Sequence, residues 1–350
     1  DSYRSEELYK RYKMLYPYPE KGDVLISAAG TIGKTIIFDG KDAYFQDSNI
    51  VWLKVNDKID RNFLWWFYRS YPWNALEGTT IQRLYNNIIL NTEIHLPEKT
   101  EQINIAKTLS KFDTYIDDLA ELIEKKRNIR DGALEDLICQ RTRMAGFTGE
   151  WTNVSFNQVI TPKARIGWQG LKKYEYLRSG YSYLIGGTDF DHGTVRLDNI
   201  SFVSKERYDM DVNIQVSEND VLVTKDGTIG KVAIVPCLEK PATLNSGVFV
   251  FRPNDRLIPT FLYRVLLSSV FKGFIDTLSA GSTIKHLYQK DLKDFEFKMP
   301  VDLEEQKAIA DTLTAMDEEI GALENERDKM IQIREGAMDD LLTGRIRLKA

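Results

Sequence analysis

Leu109, Phe112, Ile116, Leu119 and Ile123, then Leu134 and Leu137, recur at spacings of three and four residues. Ile309, Leu313, Met316, Ile320 and Leu323, then Met330, Met338 and Leu341, repeat the pattern. Alternating three and four marks a seam along which helices pack lengthwise. Each stretch is therefore predicted to be one long helix, starting just after Pro97 or Pro300 and running about forty residues, or ~60 Å. Neither contains a proline, and Gly132 and Gly336 fall at matched points near the far ends, where a bend is expected. Helices this long need a partner for the apolar stripe, and the simplest partner for each is the other. Elsewhere the pattern shortens. Val221–Thr224 is a β-branched run stopped by Lys225-Asp226-Gly227, and a strand signal resumes over Lys231–Val235. Gly247–Phe251 and Ser48–Leu53 read as further strands, with short helices around Phe63–Arg69 and Thr260–Val270. The expected class is α+β: mixed domains of strands and short helices, each followed by one long helix.

The pattern is written twice. Gly22–Ile37 (GDVLISAAGTIGKTII) returns as Asn219–Ile234 (NDVLVTKDGTIGKVAI), and Gly78–Pro97 (GTTIQRLYNNIILNTEIHLP) as Gly281–Pro300 (GSTIKHLYQKDLKDFEFKMP). Ile129–Arg143 (IRDGALEDLICQRTR) returns as Ile333–Arg347 (IREGAMDDLLTGRIR). Three blocks in the same order define a tandem duplication of one large module, not a solenoid of short repeats. It implies two similar sites with approximate two-fold symmetry, an arrangement suited to a two-part target. The second copy carries Trp151–Asp220 ahead of its GTIGK block, where the first has only Asp1–Asp23, and the chain does not begin with Met. The sequence is read as starting inside the first module, with about fifty residues of its front lying outside.

Composition narrows the class. A hydrophobic share of 43% with 11% aromatics supports packed cores and excludes a disordered chain. Two cysteines, Cys139 and Cys237, give no disulfide framework, which fits a cytoplasmic setting. No apolar run approaches the ~20 residues of a membrane span. The net charge of −5 looks unsuited to nucleic acid, but Glu98–Gln140 carries net −3 and Val301–Thr343 net −9, which leaves +7 on the rest. The acidity belongs to the two helices, and the globular parts are basic.

Catalytic patterns are missing. Gly33-Lys34-Thr35 ends like a phosphate loop, but the glycine required five residues earlier is Ala28, and the second copy has Lys225 and Val232 at the equivalent positions. GTIGK is better read as a turn needing positive φ, with Lys34 and Lys231 directed at a phosphate backbone. His95, His192 and His286 show no metal-ligand spacing. Glu124-Lys125-Lys126 has the form of a nuclease end but sits on an acidic helix, and no Pro-Pro dipeptide of the kind amino-methyltransferases use occurs. The sequence thus gives no enzyme of its own.

On these residues the chain resembles the specificity subunits of type I restriction–modification systems. The resemblance rests on the GDVL…GTIGK block, on GSTIKHLYQKDLKDFEFKMP, on the Glu-Gln pair opening each helix (Glu101-Gln102 and Glu305-Gln306), and on the REGAMDDLLTGRIRL ending. It covers essentially the whole chain. It implies two target-recognition domains separated by two long antiparallel coiled-coil helices with pseudo-two-fold symmetry, each domain reading one half of a split DNA sequence. The expected boundaries are 1–97 for the first recognition domain, 98–144 for the first helix, 145–300 for the second domain and 301–345 for the second helix. Implied partners are double-stranded DNA, two methyltransferase subunits and motor/nuclease subunits, with no membrane. S-adenosylmethionine, ATP and magnesium are implied on those partners and no cofactor on this chain.

The residues point to DNA independently. Lys163–Arg178 (KARIGWQGLKKYEYLR) mixes basic, aromatic and amide side chains, suited to phosphates and base edges. The candidate DNA contacts are Lys163, Arg165, Gln169, Lys172 and Lys173 there, Lys225, Lys231, Lys285 and His286 around the second turn, and Lys34 and Arg83 around the first. Tyr85 and Tyr288, shared by both copies, are expected to serve the scaffold. A stand-alone DNA-binding protein and a coiled-coil assembly scaffold are the alternative classes. The +7 charge outside the helices counts against the second.

Overall fold

The computed structural model describes residues 5–43, 49–73, 83–167, 170–279 and 286–348. The chain divides into two compact units, Asp1–Ile123 together with Ala322–Ala350, and Glu124–Gly321. The two long helices span Lys99–Ile138 and Leu303–Leu342, forty residues each, as their apolar spacing predicts. Helical assignment runs through both Gly132 and Gly336 without interruption. Each helix is shared between the units, so each unit combines the start of one helix with the end of the other.

In the first unit, strand Val24–Ser27 lies between antiparallel neighbours Thr35–Ile37 and Ile50–Trp52. Helix Arg61–Ser70 starts at Asp60, whose side chain accepts from the Asn62 and Phe63 N–H groups. One face of this helix sends Leu64 and Phe67 to the core formed by Val24, Ile26 and Trp73. The other face sends Phe63 and Trp66 against Ile105 and Leu109 of one long helix and Met338, Leu341 and Leu342 of the other. Asp113 pairs with Arg334 at 2.6 Å, and Tyr115 pairs with Glu326. Together with the pairing of Glu101 and Arg347, these contacts run in opposite order along the two helices, which are antiparallel here.

The second unit contains a six-stranded sheet in the order Ile160–Ala164, Val248–Pro253, Val221–Thr224, Val232–Ile234, Thr194–Val195 and Phe190–Asp191. Its central strands are covered on both faces, which is why they read as unbroken apolar runs. Val221 and Val223 pack with Phe249, Phe251 and Leu262 of helix Pro259–Leu267. Leu222, Val248 and Val250 face the other way, toward Ile185 and Leu244 of a four-stranded sheet. Strand Glu296–Pro300 pairs with Trp151–Ser155 and leads into the second long helix. Lys126 pairs with Glu319 at 2.7 Å, Arg130 with Asp317 and Arg143 with Glu305, again in antiparallel order.

The copies differ at one sheet edge. Val232–Ile234 is flanked by Thr194–Val195, and Ala233 is 0% exposed. In the first unit the equivalent strand lies at the edge of its sheet, and Ile36 is 62% exposed. The flanking strand, Thr194–Val195, lies ahead of the stretch 198–220 that stands in the place of 1–23.

Candidate nucleic-acid interface

The duplicated turn is the same structure built twice. The Ser27 hydroxyl donates to the Thr31 carbonyl and accepts from the Lys34 N–H at 3.0 Å. The Thr224 hydroxyl donates to the Thr228 carbonyl and accepts from the Lys231 N–H at 2.9 Å. Gly33 and Gly230 have φ of 84° and 80°, a region open to glycine at little steric cost, and their N–H groups donate to the Ser27 and Thr224 carbonyls. The N–H groups of the Gly-Lys pair, which a nucleotide-binding loop would aim at phosphate, are thus consumed inside the turn. The charge left outward is the side chain of Lys34 or Lys231, both exposed.

A second strand of chain crosses each turn. Leu84 N–H donates to the Ala28 carbonyl and Leu287 N–H to the Lys225 carbonyl, both at 2.8 Å. This sets Arg83 opposite Ala29 and His286 opposite Asp226 in isolated bridges. His286 Nδ1 is bound by the Asp226 carboxylate, so that nitrogen is already engaged. Lys225 is half-buried, its Nζ 5.5 Å from the Phe249 ring centroid. Tyr85 and Tyr288 differ from expectation: both rings are more than half exposed. What the scaffold uses here is the backbone beside them, while Tyr288 presents its ring 4.5 Å from that of His286.

The basic-aromatic segment does not lie on one surface. Lys163 is half-buried in its strand, opposite Val250. Lys172, Lys173 and Tyr174 are exposed, Tyr174 at 73%. Arg165 is the exception and corrects its assignment as a DNA contact, because it is 2% exposed. Its Nε donates to the Leu244 carbonyl at 3.0 Å, and its pKa is lowered by burial and by the like charge of Arg207. Gln169, Lys285 and the first residues of the blocks at 78 and 281 lie outside the described residues. Among the described residues, no group of three or more His, Cys, Asp or Glu is arranged to hold a metal ion, and no helix is long and apolar enough to cross a membrane.

Sequence reading did not assign roles to the Glu-Gln pairs. Gln102 is buried and donates to the Lys58 and Pro97 carbonyls while accepting from the Asp60 N–H. Gln306 repeats this with the Arg256 and Pro300 carbonyls and the Ile258 N–H. One amide thereby ties the start of each long helix to the loop entering its domain's short helix. The duplicated Glu-Gln was the signal available for this role.

Two mixed domains carrying the same exposed lysine turn, on helices whose starts are locked in the same way, define a duplicated scaffold of the specificity-domain class. Residues 2–128 and 169–332 match the type I restriction modification DNA specificity domain, and the chain belongs to that family. It is 48% identical over 122 residues to a candidate type I restriction enzyme specificity subunit of Haemophilus influenzae, covering 35% of this chain and 32% of that protein. It is 25% identical over 332 residues to the type I restriction enzyme MjaVIII specificity subunit of Methanocaldococcus jannaschii, covering 89% of this chain and 76% of the relative. The chain thus spans about a third of the first relative and about three quarters of the second. A crystal structure of the type I restriction-modification S subunit from M. genitalium shares the fold, with a TM-score of 0.62 at 19% identity over 93% of this chain and 84% of that one.

Proposed function

We propose that this chain is the DNA-specificity subunit of a type I restriction–modification complex and carries no catalysis of its own. Residues 1–97 and 145–300 each read one half of a bipartite target. The helical segments 98–144 and 301–345 set the gap and dock two methyltransferase subunits, to which motor/nuclease subunits join in the cytoplasm. The observation that carries this reading is the division between repeated and unrepeated residues. The hydrogen bonds of the turn and of Gln102 and Gln306 recur in both copies, whereas the side chains beside the turn differ, Ala28, Ala29 and Arg83 in one copy standing where Lys225, Asp226 and His286 stand in the other. A common scaffold with different loops suits two domains that recognise different bases.

The proposed DNA contacts are Lys34 and Arg83 in the first unit and Lys163, Lys172, Lys173, Lys225, Lys231 and His286 in the second, with Gln169 and Lys285 proposed from the sequence alone; Arg165 is left out because it is buried. The test is a methyl-transfer assay with S-adenosylmethionine and DNA, using the chain alone and with the methyltransferase subunit. Transfer only in the presence of the partner, at a two-part sequence, is expected. Robust transfer by the chain alone overturns the reading, and so does sequence-specific binding that needs no partner and directs none.

A further inference from the structure

Arg207, on the short helix Lys205–Asp209, reaches across to the loop that carries Lys172 and Lys173. Its Nε stands 2.8 Å from Glu175 Oε1, with the two side chains 13% and 18% exposed. Its Nη2 donates to the Gly170 carbonyl at 3.0 Å. The second oxygen of Glu175 accepts the Lys172 N–H at 2.7 Å. One guanidinium therefore grips the loop on both sides of the exposed Lys172-Lys173-Tyr174 stretch. The far end is fixed separately: Leu177 and Phe202 exchange backbone hydrogen bonds at 2.9 Å, and the Tyr176 hydroxyl donates to Asn245 Oδ1 at 3.3 Å. A guanidinium can hold a carbonyl by one N–H while its charge stands against a carboxylate, a pair of contacts that the single nitrogen of a lysine is poorly shaped to make.

We infer that Arg207 is the positioning residue that fixes the recognition loop of the second module, and through it the choice of bases that module reads. This rests on the reading of the chain as a DNA-specificity subunit. Arg207 itself is too buried to serve as a phosphate contact. Reading base edges requires side chains held to within ~0.5 Å, whereas attraction to phosphates depends mainly on charge and survives looser placement. Releasing the loop should therefore cost discrimination between sequences, while Lys172 and Lys173 keep their non-specific attraction.

The test uses the full chain in complex with its methyltransferase subunit, comparing wild type with Arg207→Gln and Glu175→Gln. Affinity is measured for the target DNA and for DNA altered in each half-site in turn, across a salt titration. In both variants the discrimination ratio for one half-site is expected to fall about tenfold, comparable to a mismatched base pair. The other half-site ratio and the salt slope should stay at wild-type values. Unchanged ratios overturn the inference. An equal fall in both ratios also overturns it, since that marks general destabilisation. Where Arg207→Gln does not fold, Glu175→Gln, which retains the shape and an acceptor for the Lys172 N–H, decides alone. If wild type discriminates at neither half-site, the reading of function fails, and this inference fails with it.

Discussion

Arg143, the last residue of the first repeated block, binds Glu305 in the first turn of the second long helix. Its Nε and Nη2 donate to the two carboxylate oxygens at 2.9 and 2.8 Å, and Glu305 is 0% exposed. Trp151 adds a third donor to the same carboxylate. The mirror contact joins Arg347, the last residue of the second block, to Glu101 at the opening of the first helix. Each unit is thus closed by the end of the other repeat. Neither repeat, taken as a stretch of sequence, contains its own closing arginine.

Arg143→Met is expected to destabilise the unit Glu124–Gly321, because it strands a buried carboxylate. Thermal unfolding should show a transition several degrees lower. The unit holding Glu101 and Arg347 should keep its midpoint where the two transitions separate.

Asp317 serves two cations: Arg264 Nη1 at 2.5 Å, from a side chain 4% exposed, and Arg130 of the first long helix. Asp317→Ala leaves both guanidinium groups without that carboxylate. The expected cost is about 1–2 kcal/mol, below the ~3–5 kcal/mol of a fully buried pair because the Asp317 side chain is 33% exposed. Urea unfolding measures it directly, and a change within a few tenths of a kcal/mol contradicts the prediction.

Hydrogen bonds from Arg347 hold the Glu101 carboxyl below its ordinary value of 4.5. Since the folded value lies under the unfolded one, this carboxylate stabilises the fold above about pH 4.5 and loses that contribution as pH falls through the lowered value. Arg347→Gln should therefore make the fall in melting temperature between about pH 6 and about pH 3 shallower than in wild type. An identical slope contradicts the assignment.

Much of the fold was legible because its longest elements carry a local signal. Seam residues such as Leu109, Leu134, Ile309 and Leu313 are buried, and spacing alone reveals their period. The hairpin through GTIGK was legible from its glycines and β-branched flanks. The helix Glu6–Leu15 and the two-residue strands Phe190–Asp191 and Thr194–Val195 were not, since such short or mostly polar stretches gain order from tertiary pairing. Arg165 shows the same limit at the site. It sits among exposed basic residues in sequence, yet its acceptors, Thr243 and Leu244, lie 78 and 79 positions away. Charge marked the segment as basic, but only the fold separates a buried guanidinium from exposed ammonium groups. Arg207, far along the chain from the loop it grips, was invisible for the same reason.

Charge reversal at the exposed Lys172 and Lys173 is expected to weaken DNA binding by the complex and to lower the magnitude of its salt slope by up to ~2. Reversal at Glu318, an exposed residue of the second long helix, should leave DNA affinity in place and weaken assembly with the methyltransferase subunit. Glu319 is a less clean probe, since it already pairs with Lys126. Gel shifts over a salt series, with size-exclusion analysis of the assembled complex, measure both effects. The opposite division of effects contradicts the proposed surfaces.

The central claim is that the two modules read separate halves of one DNA target. A genome-wide map of methylated positions tests it, in cells carrying this chain with its methyltransferase subunit, before and after residues 145–300 are exchanged for the matching stretch of a relative with a different target. The expected result is a two-part motif in which one half changes while the other half and the unspecified gap stay the same. A motif left unaltered by the exchange, or one in which both halves change together, contradicts it.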